Sequence, residues 1–320
     1  MSDALGFAAT SAYGADCLRR LVAAGAPVRL VLTQPDRPAG RRRQPTPPPA
    51  ADAARELGLQ LLQPERAGDA IAGLRAAGIG AMGICAYGQL IPDALLAELP
   101  WVNLHPSSLP RWRGAAPVER TILAGDPATA AAVMAVVREL DAGPIAALEP
   151  FPVGPRATAG DVMTRSLELG VPPLAAGLAA AAAGELETRP QATDGITYAH
   201  KLTADDRLLD PAEPVALADR RVRALAPHIG AALQVGGQRL LVWRAEPVGE
   251  ELAPGEVAAE GGRLAVGFAD GALELLDVQA AGKRTMTAAE LLRGWRGAVT
   301  SCSGLTPSGR AKTFSCRFSS

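Results

Sequence analysis

Trp101-Val102-Asn103-Leu104-His105-Pro106 is the stretch on which the fold turns. In an extended chain successive side chains alternate, so Asn103 and His105 share one face while Val102 and Leu104 point to the other. Pro106 supplies no ladder N–H, so the strand ends there and both polar side chains sit at its carboxyl end. Open α/β sheets bind ligands at that end. An Asn that donates to a developing oxyanion, beside a His that moves a proton, is equipment for acyl transfer. Such a pair also occurs at strand ends merely to satisfy loop backbone, so its meaning depends on its surroundings.

Outward from this strand, short apolar runs alternate with amphipathic segments, as in βαβ units around a parallel sheet. Strands are expected at residues 5–9, 28–33, 78–86, 101–105 and 131–137, and helices at 50–57, 69–76, 92–99 and 117–124. A doubly wound α/β domain over residues 1–189 is the economical assembly, closed by an alanine-rich helix near 171–186. Pro190 and the polar residues 191–195 open a linker, residues 190–205. Beyond it come a helix at 215–225 and strands at 231–235, 239–244, 263–268 and 273–278, with Gly236-Gly237 and Asp270-Gly271 as hairpin turns. They form a small antiparallel β domain, residues 206–300, with barrel character. Residues 301–320 are Ser-rich and aperiodic, and are expected to be disordered.

Length and composition agree. At 320 residues the chain exceeds one ordinary core, and 48% hydrophobic with 20% charged residues is globular composition. Acidic and basic residues nearly cancel, 33 against 32, so a polyanion would have to be met by a local basic patch. The longest uncharged apolar stretch, residues 171–184, is too short to span a bilayer, and no basic-then-apolar leader follows Met1, so a cytoplasmic protein without a membrane partner is expected. Cys17, Cys85, Cys302 and Cys316 have no metal-ligand spacing, so neither a disulfide framework nor a metal is expected.

Further residues give the Asn103–His105 pair its context. Asp141, in Glu139-Leu140-Asp141-Ala142-Gly143-Pro144, follows an apolar strand in a turn; near His105 it would hold the imidazole's tautomer and favour its charged form. Residues 34–49 are a long proline-rich loop with Arg37, Arg41, Arg42 and Arg43, leaving the carboxyl end of the second strand on the same side as His105. This is the local patch suited to phosphates. Cys85 to Pro92 follows another strand and offers backbone groups and apolar walls to a flat ring. No G-x-S-x-G elbow is present, and no G-x-G-x-x-G follows the first strand, where Ala8-Ala9-Thr10-Ser11 stands instead, which disfavours an acyl-enzyme and a dinucleotide cofactor. His200 and His228 are assigned to structure.

These residues resemble the methionyl-tRNA formyltransferase family to about residue 295. Residues 34–41 resemble its QPDRPAGR loop, 86–88 its AYG turn, 103–117 its N-x-H-x-S-x-LPR-aromatic-RGAAP signature and 140–144 its LDTGP turn, with Ala142 where Thr is usual. Ala281-Gly282-Lys283-Arg284 with Met286 resembles a late AGK-basic motif, Ala280 standing where Pro is common. Ala9 and Ser11 stand where the family's first turn has Gly and Pro, and a Cβ at position 9 would be strained if that turn needs positive φ. The resemblance implies a Rossmann-like catalytic domain followed by an OB-like barrel in a monomer, with 10-formyltetrahydrofolate as co-substrate and initiator methionyl-tRNA as acceptor. It implies a catalytic set of Asn103, His105 and Asp141, folate contacts from Ala86, Tyr87, Gly88, Leu90, Ile91, Ser107, Leu109 and Pro110, and tRNA contacts from Arg37, Arg41, Arg42, Arg43 and Lys283. Two alternatives stay open: a folate-dependent formyltransferase acting on a small-molecule amine, such as a purine nucleotide or nucleotide sugar, and a non-catalytic RNA-binding protein.

Overall fold

The computed structural model describes residues 3–39, 44–295 and 301–303. The chain forms two compact units, one of Met1–Pro117, Ala128–Pro152 and Met163–His200, the other of Val118–Pro127, Val153–Val162 and Lys201–Ser320. Two short segments inside the expected catalytic span of 1–189 therefore belong to the second unit, and the first continues into the expected linker as far as His200.

In the first unit the strands are β1 (Leu5–Ala8), β2 (Val28–Leu32), β3 (Arg37–Ala39), β4 (Gln44–Thr46), β5 (Gln60–Leu62), β6 (Ala81–Ile84), β7 (Trp101–His105), β8 (Arg113–Gly114), β9 (Ala128–Ala135), β10 (Ile145–Pro152) and β11 (Tyr198–Ala199). Seven of them make one sheet in the order β10-β9-β7-β6-β1-β2-β5. The five from β7 to β5 run parallel, whereas β9 is antiparallel to β7 and β10 to β9. The sequence pattern does not disclose β10: Glu149, Pro150 and Pro152 break its alternation, and an edge strand tolerates prolines whose missing N–H would face away from the ladder. Helices α1 (Ala12–Ala23), α2 (Pro49–Glu56), α3 (Ile71–Ala76) and α4 (Asp93–Glu98) connect the parallel strands. Phe7, Leu18, Leu21, Val31, Val102, Leu104 and Val133 belong to one hydrophobic core cluster of this unit.

After α5 (Pro117–Ala124), α6 (Ala159–Ala183) begins well before the expected 171 and carries Pro172 and Pro173 inside it. Thr158 and Asp161 open it with reciprocal bonds: the Thr158 N–H donates to the Asp161 carboxylate at 2.9 Å and the Asp161 N–H to the Thr158 hydroxyl at 3.2 Å. An interior proline costs a helix about 3 kcal/mol. Burial of Val171, Leu174 and Leu178 offsets it, at about 2 kcal/mol per side chain. By length and composition α6 could cross a bilayer, unlike the shorter run read from sequence, but half of its most apolar window is buried within the protein.

The stretch 34–49 is not a plain loop. β3 and β4 pair as an antiparallel ribbon with Pro38 opposite Pro45, a register in which neither proline has to donate. The first turn is also unstrained: positive φ among non-glycine described residues occurs only at Ala86, Trp112 and Asp141, and Ser11 caps α1 by accepting the Gly14 N–H at 3.2 Å.

The second unit contains α7 (Val215–Leu225), β12 (Ala231–Val235), β13 (Gln238–Val248), β14 (Val257–Ala258), β15 (Ala265–Phe268), β16 (Gly271–Ala280), β17 (Met286–Thr287), α8 (Ala288–Arg293) and β18 (Cys302–Ser303). Its antiparallel sheet, ordered β14-β15-β16-β13-β12-β18 with β17 on β16, curls into a half-barrel around Leu233, Val242, Phe268 and Leu275. Gly236-Gly237 joins β12 to β13, but the second turn is Ala269-Asp270, because Gly271 already pairs with Phe268. Asp270 instead accepts the first N–H of α7, from Val215, at 2.7 Å. Cys302 and Ser303, expected in a disordered tail, pair with β12, and Cys302 joins the core; its serine-rich neighbours hide that apolar contact. The rest of that tail, residues 304–320, lies outside the described residues.

Ala9 is fully buried. Ala9→Gly should therefore lower stability by about 1 kcal/mol through lost packing and greater unfolded-state freedom, read from the urea midpoint. A rise in stability would mean the turn is strained after all.

Candidate active site

His105 ends β7 with 5% of its surface exposed. Its Nε2 lies 2.9 Å from the Trp112 carbonyl oxygen. A carbonyl only accepts, so this contact places the neutral ring's proton on Nε2 and leaves Nδ1 bare. Nδ1 faces the Asp141 carboxylate, with Oδ2 at 3.7 Å. The same Oδ2 accepts the Gly114 N–H at 2.8 Å, which fixes the carboxylate. Asn103, two residues before His105 on β7, is half-buried and has no side-chain hydrogen bond among the described residues. The structure thus brings His105 and Asp141 together and sets Asn103 on the same strand with its amide uncommitted.

Two strained loops create this geometry. Trp112 has φ 65° and Asp141 φ 49°, a region in which non-glycine residues cost of order 1 kcal/mol or more. The Trp112 loop is braced by the Ser107 hydroxyl, which donates to the Arg111 carbonyl at 2.7 Å, and by its own N–H, which donates to the Thr197 hydroxyl at 2.9 Å. The Asp141 turn needs Gly143, because a Cβ there would overlap the Ala135 carbonyl. Gln191 binds both sides: its amide nitrogen donates to the carbonyls of Asp141 and Gly143, each at 2.8 Å, and its oxygen accepts from the Arg113 guanidinium at 2.7 and 3.1 Å. Gly114 lets β11 pair with β8, since a Cβ there would meet the Ala199 carbonyl. Residues 190–199, expected as part of the linker, are therefore a strap that completes the site. Sequence reading missed Gln191, Thr197 and the Trp112 carbonyl, because polar residues after Pro190 look the same in a solvated linker.

The expected folate residues fall into two groups. Ala86, at φ 49°, Gly88 and Leu90 are exposed, Leu90 by 72%. Tyr87 is buried, its carbonyl taking the Thr10 hydroxyl at 2.6 Å and the Gln34 amide at 3.0 Å, while its phenol has no hydrogen-bond partner among the described residues and burial pushes its pKa up to about 12. Ile91 packs beside it. Ser107 is committed to Arg111, Leu109 packs on Met134 and Ile145, and Pro110 is half-buried.

Of the expected tRNA residues, Arg37 is exposed and pairs loosely with Glu65 at 3.5 Å, and Lys283 is exposed in the second unit. Arg41, Arg42 and Arg43 lie outside the described residues. His228 is exposed past the end of α7, whose last carbonyls are met by backbone N–H groups and not by its ring. No cluster of three or more His, Cys, Asp or Glu able to hold a metal occurs among the described residues.

An imidazole between a carboxylate and a fixed carbonyl, at the carboxyl end of a strand in an open α/β sheet, is the equipment of an acyl-group-transfer enzyme. The formyl transferase model matches residues 9–175 and the model of the formyl transferase C-terminal domain matches residues 201–296. A methionyl-tRNA formyltransferase of Halorhodospira halophila is 43% identical over 92% of this chain and 97% of its own length, and one of Methylobacterium sp. is 40% identical over the same shares. The chain belongs to the methionyl-tRNA formyltransferase family. Among solved structures, HypX from Aquifex aeolicus in complex with tetrahydrofolic acid shares the fold, with TM-score 0.67 at 17% identity over 93% of this chain and 50% of that one.

Gln191→Ala leaves two turn carbonyls and a buried guanidinium without partners. It should cost about 2 kcal/mol in urea unfolding and lower formyl-transfer turnover about tenfold or more, since Asp141 loses its placement. Gln191→Glu keeps a partner for Arg113 but cannot donate to either carbonyl, so it should recover only part of the stability and none of the turnover. Full turnover in either variant would show that the clamp does not position Asp141.

Proposed function

We propose that this protein transfers a formyl group from 10-formyltetrahydrofolate to the α-amine of initiator methionyl-tRNA by direct amine attack. Family membership supports the reaction class and a folate-type donor; the observation that carries the mechanism is the imidazole held between Asp141 and the Trp112 carbonyl. The neutral amine adds to the formyl carbon, and the carbonyl oxygen becomes an oxyanion to which Asn103 donates. The amine's proton passes to the bare Nδ1 of His105, the Asp141 carboxylate steadies the positive ring, and the ring then gives the proton to the departing folate nitrogen. The C–N bond to folate breaks as that proton arrives, so charge and atoms balance without a covalent enzyme intermediate.

In this reading residues 1–189 carry the chemistry. The exposed turn at Ala86, Gly88 and Leu90 takes the pterin, with Tyr87, Ile91, Ser107, Leu109 and Pro110 shaping the wall behind it. Arg37 on β3, with Arg41, Arg42 and Arg43 of the same basic stretch of sequence, meets acceptor-stem phosphates, residues 206–300 add Lys283, and the enzyme acts as a cytoplasmic monomer. Incubating the protein with the donor and charged initiator tRNA should yield formylmethionyl-tRNA; failure to form it with a folded protein refutes the assignment.

Two sets of variants separate chemistry from binding. His105→Ala and Asp141→Asn should each lower turnover by about 10²-fold or more while tRNA affinity stays within about threefold. Equal loss of both would mark a folding role. Replacing Arg41, Arg42 and Arg43 together by Ala should weaken tRNA binding and flatten its salt dependence by up to about three counterions, with folate affinity nearly unchanged. An unaltered salt slope would make the ribbon a solvated face.

A further inference from the structure

The strap that completes the site also exposes an aromatic pair that the catalytic chemistry leaves unused. Aromatic residues are only 4% of the chain, and Phe7, Tyr87, Trp101, Phe151 and Phe268 are buried. Tyr198 is 53% exposed. Strand alternation turns Ala199 inward and sets Tyr198 and His200 on the outer face, where their rings lie 6.4 Å apart at an interplanar angle of 26°. The two rings are stacked at a wide offset, and the exposed part of the Tyr198 ring is where a further flat ring can lie.

Position ties this pair to the reaction. Tyr198 pairs with Arg113 and Ala199 with Gly114, whose N–H holds the Asp141 carboxylate at 2.8 Å. The strap cannot drift, because the Arg113 N–H donates to Thr197 at 2.9 Å and the Ala115 N–H to Ala199 at 2.8 Å. An aminoacyl-tRNA presents its amine one ester and one ribose away from its terminal base, so the base has to lie about one nucleoside's length from the proton-transfer pair.

On the proposed tRNA substrate, we infer that Tyr198, with His200, is a stacking platform for the terminal base of the acceptor end. Single-stranded RNA ends are held in this manner, by bases laid on aromatic rings. The platform would fix the direction from which the amine approaches and requires no base-edge readout, which suits an end common to all tRNAs.

The test uses the full-length protein and an acceptor-stem RNA hairpin whose 3′ nucleotide carries adenine or is abasic, with dissociation constants from fluorescence anisotropy. Tyr198→Ala should weaken binding of the adenine-ended RNA about tenfold, Tyr198→Trp should restore it, and His200→Ala should weaken it in the same sense. The abasic RNA should bind the wild type and Tyr198→Ala alike. Equal weakening of both RNAs, or of neither, overturns the inference; so does loss of folate affinity instead, which would assign the rings to the pterin. Formylation by the wild type tests the substrate assignment separately, because a platform that fails leaves that activity in place.

Discussion

Everything in the catalytic unit is arranged around one hydrogen bond, from His105 Nε2 to the Trp112 carbonyl at 2.9 Å. It decides which ring nitrogen is free, and so which way the imidazole can work. To aim that carbonyl the chain holds Trp112 at φ 65°, and to bring a carboxylate to the other nitrogen it holds Asp141 at φ 49°. Left-handed conformations at such residues cost about 1–3 kcal/mol each. A net hydrogen bond contributes about 1 kcal/mol, so several are needed per strained residue. Ser107, Thr197, Gly114 and Gln191 supply them. The third positive-φ residue, Ala86, sits in the turn after β6, so all three fall on loops near the sheet's carboxyl ends.

The scaffold was largely legible because periodicity is a local signal. The strand at 101–105, the helices at 117–124 and 215–225 and the double-glycine hairpin follow from residue spacing and agree with the structure. What was not legible depends on distant partners. β10 contains prolines that only an edge position tolerates, and α6 runs through two prolines because its flanks are buried against the sheet. Cys302 reads as tail until it is found paired with β12.

The candidate site divides in the same way. Asn103 and His105 declare themselves by alternation on one strand, and Asp141 by its turn, yet the turn lies 36 positions beyond His105 and only folding brings the two together. The strap was invisible because Gln191 and Thr197 have the composition of solvent-exposed connection. Its one sequence irregularity, an aromatic residue in a polar stretch, marks Tyr198. Near-neutral net charge means that a polyanion would have to be met by local groups and not by the field of the whole protein.

In the resting enzyme the neutral imidazole carries its proton on Nε2, facing Trp112, and keeps Nδ1 bare toward Asp141. Nitrogen NMR of the ¹⁵N-histidine-labelled enzyme, with His105 assigned by its absence in His105→Gln and recorded where the ring is neutral, reports the tautomer directly. A protonated Nε2 and an unprotonated Nδ1 are the expected result. A proton on Nδ1 with Nε2 bare would contradict the arrangement, because the Trp112 carbonyl could then accept nothing from the ring.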